Sequence, residues 1–282
     1  TTDTRADFSL SNSPASNRLP ADRRKHPWGV PMHVCLVIPG SPFLLDERVF
    51  MSLGVLKVAA VLERAGHAVQ VLDLSGVADP AAVTRTFCAA GSFDLWGITA
   101  TSPQMPSALT TLEIIRECAT GKRVILGGPH PTLVNAARKL EVRQKRVGRA
   151  TIAFNELMTF FDCIVCGDGE FGVFQAISED APKVVDADDP KSPLFMSSDE
   201  YEEMPFTARH LVDVQSYRYF IDGERALSLI SQLGCPFECG FCGGRLSPFL
   251  RRIRHRTPEN VVAEIRHLYK TYGIRGVMDY AD

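Results

Sequence analysis

Cys235-Pro-Phe-Glu-Cys239-Gly-Phe-Cys242 sets three thiols at C-x3-C-x2-C spacing, on a loop that also holds Gly234 and the pair Gly243-Gly244. The apolar run Ala226 to Leu233 comes directly before it. A strand that delivers three thiolates to one point suits a soft metal, because soft ions select sulfur ligands. Three readings of the loop compete. A structural zinc site needs a fourth Cys or His in closed tetrahedral geometry. The nearest candidate, His255, lies in Arg-Ile-Arg-His-Arg, which lacks ligand spacing. Three buried, unligated cysteines fit poorly in a loop so rich in glycine. A [4Fe-4S] cluster held by three cysteines leaves one iron open to another ligand.

The rest of the chain must position that loop. Its 282 residues allow one large domain or two ordinary ones with a sizeable core. With 45% hydrophobic residues, 23% charged residues and a net charge of −2, the composition points to neither nucleic acid nor membrane as partner. Apolar runs such as Val55 to Leu62 are too short to span a bilayer, and a cytoplasmic location is expected. Eight cysteines occur and no secretory signal precedes them, so reduced thiols or metal ligands are expected rather than disulfides. Residues 1–29, rich in Ser, Asn, Pro, Asp and Arg, are expected to form a disordered tail; Asp3, Asp7 and Asp22 argue against a transit peptide.

From residue 30 to 185 short apolar runs alternate with helical spacing. Strands are expected at 32–39, 68–74, 93–99, 123–126 and 162–166, with helices between them and a last helix at 170–177. That alternation predicts an α/β fold: a doubly wound, Rossmann- or flavodoxin-like parallel sheet in the order 2-1-3-4-5. The crossover at 137–161 is long and basic, which predicts a solvated helical face, with an anionic partner as the alternative. Residues 186–225, rich in Asp, Pro, Ser and Glu, read as a linker on which Met204-Pro205 rests against a domain surface. Residues 226–282 then give a strand, the cysteine loop, a helix opened by Thr257-Pro258-Glu259 and the start of another strand. This is the first βαβ part of a barrel, incomplete at Asp282, and further residues are expected beyond it.

The cysteine loop resembles the cluster loop of the radical S-adenosylmethionine (radical SAM) superfamily, in its cysteine spacing, its place after a first strand and the helix that follows. The resemblance implies that Cys235, Cys239 and Cys242 hold a [4Fe-4S] cluster and that Phe241 lies against the adenine of S-adenosylmethionine. It also implies reductive cleavage of that cofactor to a 5′-deoxyadenosyl radical, with an electron donor such as flavodoxin or ferredoxin as partner. Upstream, Ile125-Leu-Gly127-Gly128-Pro-His130 and Val165-Cys-Gly167-Asp168-Gly169-Glu170 resemble the recurrent glycine turns of the cobalamin-dependent branch, with Asp168 in place of the usual Glu. Such turns fall at the carboxyl ends of strands, where doubly wound sheets bind ligands. Glycine there lets the backbone approach a flat macrocycle. The resemblance therefore implies cobalamin against Thr99, Thr101, Ser102, Gly127, Gly128, His130, Gly167, Gly169 and Glu170. The Asp-x-His-x-x-Gly signature, whose histidine binds cobalt elsewhere, is absent, so no protein histidine on cobalt is expected.

Other residues have plainer readings beside their chemical ones. His130 follows a glycine turn and either meets a cofactor or bonds to local backbone. Cys163 and Cys166 form a C-x2-C, but residues three apart on a strand face opposite ways, which predicts two core cysteines. Cys35, Cys88 and Cys118 also read as core. The run Arg251 to Arg256 reads as a solvated edge, with anion recognition as the alternative, and Asp279 is left unassigned.

The reading as a whole is a radical SAM enzyme acting on a small-molecule substrate. Its reaction is expected to be cobalamin-dependent methyl transfer to an unactivated carbon, with residues 1–282 alone inactive. One alternative is a radical SAM enzyme whose N-terminal domain does not bind cobalamin. Another is a non-enzymatic metal-binding or electron-transfer module.

Overall fold

The computed structural model describes residues 31–281, so the tail expected over residues 1–29 lies outside it. Strand β1 (His33–Ile38) is buried along nearly its whole length, as suits the interior of a parallel sheet covered on both faces. Helix α1 (Leu53–Arg64) turns Leu53, Leu56, Ala60 and other apolar residues inward at helical spacing. Strand β2 (Ala68–Asp73), helix α2 (Pro80–Ala90), strand β3 (Leu95–Thr99), helix α3 (Met105–Cys118) and strand β4 (Arg123–Gly127) continue the alternation.

The long basic crossover is two helices, α4 (Pro129–Arg143) and α5 (Arg149–Phe160). The carboxylate of Glu141 joins them by accepting from the amides of Gly148, Ala150 and Thr151 at the start of α5. Of the basic run, Lys139 pairs with Asp186 and Arg138 lies over the Phe154 ring, so the face is only partly solvated. Strand β5 (Cys163–Gly167) and helix α6 (Gly169–Ile177) follow. A sixth strand, β6 (Val184–Ala187), then pairs parallel with β5, and the sheet runs β2-β1-β3-β4-β5-β6. The expected order is present with one strand added at its edge.

Residues 186–225, read from composition as a linker, are packed rather than loose. Met196, Tyr201 of the short helix α7 (Ser198–Glu202), Met204, Val214 and Tyr217 are buried in a core that also contains Leu56 of α1 and Leu227. A hairpin of β7 (Phe220–Ile221) and β8 (Glu224–Leu233) leads into the cysteine loop. Helix α8 (Pro248–Arg251) and strand β9 (Arg254–His255) bring the chain back antiparallel to β8. Helix α9 (Pro258–Tyr272) carries it to β10 (Gly276–Ala281), parallel to β8. Thr257 caps α9 by accepting from the Asn260 amide, with Pro258 in the first helical position as expected. The two faces of the large sheet carry separate cores, and Cys163 and Cys166 enter opposite ones. Cys118, expected in the core, is exposed because it ends α3. Among the described residues no helix is long and apolar enough to cross a membrane.

Candidate cofactor crevice and cysteine loop

A cavity of about 310 Å³ opens at the carboxyl ends of β3, β4 and β5, between the large sheet and the β8–α8 segment. Its deep wall is apolar, with Leu36, Ile125 and Val165 around Gly97. Its floor is backbone at Gly127 and Gly128, beside Thr99. Gly128 has φ 96° and ψ −171°, a region open essentially to glycine alone. A Cβ there would lie 2.6 Å from Thr99 Oγ1 and 2.9 Å from the Ala100 amide nitrogen. A Cβ on Gly127 would meet no atom within 4 Å, so bare backbone faces the open space. The opposite wall comes from Ile230 and Leu233 of β8 and from Phe249 and Leu250 of α8.

Charged groups lie at one side of this mainly apolar space. Lys57 of α1 donates to the Pro205 carbonyl oxygen at 2.8 Å, and burial lowers its pKa to about 8. Glu170, in the first turn of α6, is raised by burial. Asp168 accepts from Arg254 Nη1 at 2.6 Å and from the Met196 amide at 2.9 Å. Burial pushes Asp168 up to about 7 against the pull of Arg254. Behind them Glu264 accepts from Arg209 Nη1 at 2.7 Å and from Arg256. Burial alone would raise Glu264, yet the two guanidiniums hold it below the usual range. The run Arg251 to Arg256 is therefore not a solvated edge. Arg254 and Arg256 are buried ion-pair partners, and they tie the cysteine-loop segment to α6 and α9.

The cysteine loop is anchored at both ends. Gly234 has φ 85°, and a Cβ there would overlap the Arg252 carbonyl, so only glycine lets the two strands pass so closely. The Cys235 amide donates to the Leu250 carbonyl at 2.9 Å, which places the first cysteine beside a residue that lines the cavity. Asp188, fully buried, accepts from Ser247 Oγ at 2.6 Å and from the Phe249 amide at 2.8 Å. Within the loop Arg245 donates to the Gly240 carbonyl at 2.7 Å, and Arg251 pairs with Glu238 at 2.6 Å. The three thiols are free and exposed. Among the described residues no group of three or more His, Cys, Asp or Glu is gathered to hold a metal. The loop thus offers three accessible thiols, the ligand type that an iron–sulfur cluster takes.

Of the residues singled out in the sequence, Thr99, Thr101, Gly127, Gly128, Gly167, Gly169 and Glu170 line the one cavity. Ser102 and His130 do not; Ser102 Oγ lies 2.9 Å from His130 Nδ1 outside it, and the His130 amide donates to the Ala100 carbonyl. Burial lowers the His130 pKa. Phe241 is 94% exposed and touches neither wall. Among the described residues no histidine lines the cavity. Sequence reasoning missed Lys57, Leu233 and Leu250, which belong to the lining. The only available signal for Lys57 was a lysine set among the apolar positions of α1.

Residues 47–158 match the family model of the B12 binding domain. An uncharacterized methyltransferase of Pyrococcus horikoshii, PH0819, is 27% identical over 254 residues, covering 87% of this chain and 52% of that protein. The chain spans about half the length of that relative. TsrM, a radical SAM methyltransferase from Kitasatospora setae solved with cobalamin and a [4Fe-4S] cluster, matches with TM-score 0.57 and 20% identity over 89% of this chain and 48% of that one. OxsB, a cobalamin-dependent SAM radical enzyme solved with aqua-cobalamin, matches with TM-score 0.58 and 15% identity over 88% of this chain and 34% of that one. Residues 47–158 thus match a B12-binding domain, and the chain shares its fold with the corresponding parts of TsrM and OxsB.

Proposed function

We propose that this chain is the cofactor-holding part of a cobalamin-dependent radical SAM methyltransferase, acting on a small-molecule substrate with an electron donor such as flavodoxin or ferredoxin. The observation that carries the reading is a single crevice. Its glycine floor belongs to the B12-type sheet, and its opposite wall belongs to the two elements that flank the three cysteines. In this reading residues 30–185 form the cobalamin-binding unit and residues 226–282 open a (β/α) barrel.

Each group of residues then has a task. Cys235, Cys239 and Cys242 would hold a [4Fe-4S] cluster, and Phe241 would lie against the adenine of S-adenosylmethionine. The bare backbone at Gly127 and Gly128 supports the flat face of cobalamin, while the apolar wall around Gly97 accepts an uncharged ring. The buried Arg254–Asp168 and Ser247–Asp188 contacts fix the loop relative to that floor. Bound together, the cofactors supply radical hydrogen abstraction and methyl transfer to an unactivated carbon. The protein holds them facing a space with few polar groups.

Anaerobic reconstitution tests the proposal. Retention of about four irons per chain, with an EPR signal altered by S-adenosylmethionine, supports it. Zinc without iron overturns it. Loss of hydroxocobalamin on gel filtration removes cobalamin from the account.

A further inference from the structure

We propose that Lys57 and Glu170 form a two-sided clamp for a carboxamide on the ligand that fills the crevice. The inference rests on the cobalamin reading, because the corrin ring of cobalamin carries carboxamide side chains around its edge.

Both residues line the cavity from neighbouring helices, α1 and α6. The Lys57 ammonium spends one donor on the Pro205 carbonyl and has two left. The Glu170 carboxylate makes no ion pair among the described residues, and its own backbone amide is its hydrogen-bond partner. Each charge acts on the other, yet the two do not form an ion pair. The nearby charges are already matched: Asp168 with Arg254, and Glu264 with Arg209 and Arg256. Lys57 and Glu170 are therefore a donor and an acceptor kept apart in a space whose other walls are largely apolar.

A group that satisfies both must accept on one side and donate on the other. A primary carboxamide does this with its carbonyl oxygen and its NH₂. A ligand carboxylate would face the Glu170 charge, and a ligand amine would face Lys57, so the pair selects for the neutral amide. A buried charge without a partner is costly, and this gives the clamp its leverage over affinity.

Spectrophotometric titration with hydroxocobalamin tests the clamp on the wild type and on Lys57→Met, Glu170→Leu and Glu170→Gln, with circular dichroism and Tm as checks on folding. Loss of a hydrogen bond to a charged group predicts a Kd about tenfold or more weaker for Lys57→Met and Glu170→Leu. Glu170→Gln should stay within about threefold of wild type, since its amide oxygen still accepts. A corrinoid whose peripheral amides are replaced by methyl esters, which accept but cannot donate, should bind wild type and Glu170→Leu equally. If wild type binds hydroxocobalamin and folded Glu170→Leu binds it equally well, the clamp is wrong and the cobalamin reading stands. If wild type fails to bind, both fall. Should Lys57→Met not fold, the Glu170→Leu and Glu170→Gln pair decides the matter alone.

Discussion

Arg254 Nη1 lies 2.6 Å from Asp168 Oδ1, with neither side chain exposed to solvent. The two residues stand 86 positions apart in the chain. One closes the turn after β5 and the other sits on β9, so this ion pair joins the crevice floor to the strand that leaves the cysteine loop. Phe249 and Phe195 cover the guanidinium and keep the pair dry.

Removing one partner leaves an uncompensated buried charge. Arg254→Met or Asp168→Leu should each lower stability by about 3–5 kcal/mol. The double variant should recover much of that loss, because no charge is then stranded. Chemical denaturation of the four proteins of the cycle checks this; strictly additive losses would show that the pair is not coupled.

Asp188 tests the docking of the loop itself. Its carboxylate accepts from Ser247 and Phe249 downstream of the third cysteine, while its second oxygen is buried without a hydrogen bond, 3.9 Å from the Lys139 ammonium. Asp188→Ala should cost about 1–3 kcal/mol and leave the Ser247 hydroxyl proton without its acceptor. Hydrogen exchange should quicken across 235–250 while β3 and β4 stay protected. Unchanged exchange there would mean the loop is held by other contacts.

The two adjacent floor glycines separate folding from binding. Gly128→Ala forces a Cβ against Thr99 in a backbone region open to glycine, and should lose about 1–3 kcal/mol. Gly127→Ala places its methyl in empty space. It should keep the wild-type Tm and weaken hydroxocobalamin binding. Equal binding by a folded Gly127→Ala protein would move the cofactor away from this floor.

Lys57 predicts a pH dependence whose sign is fixed. Its folded pKa, about 8, lies below the value of about 10.5 in the unfolded chain. Its contribution to stability is thus fully present above pH 10.5 and is lost as pH falls through 8. Between pH 8 and pH 10 the wild type should gain about 2 kcal/mol on Lys57→Met, which is roughly 4–9 °C in Tm. A constant gap between the two melting curves would show that the amine titrates normally.

The alternation of the first 180 residues made the large sheet legible, because a parallel strand buried on both faces reads as a continuous apolar run. Strand β6 escaped notice: it is four residues long and lies beside an Asp-rich stretch. The glycine turns were visible and their convergence on one cavity followed from the topology, whereas Ser102 and His130 turned to each other instead. Arg254 and Arg256 looked like solvent-facing charges because Asp168 is distant in the chain and Glu264 looks like an ordinary position on a polar helix face. Lys57 was hidden for a related reason. A lysine in an amphipathic helix normally reaches water, and only the packing of the 196–217 segment over α1 denies it that.

In the proposed reading the cysteine loop and the glycine floor serve one crevice. The most direct test is EPR power saturation of Co(II) cobalamin in reconstituted protein holding a reduced cluster, compared with the Cys235→Ala/Cys239→Ala/Cys242→Ala protein. Faster relaxation of the cobalt signal is expected in the wild type, through its paramagnetic neighbour. Identical saturation in the two proteins, with iron present in the wild type alone, would contradict it.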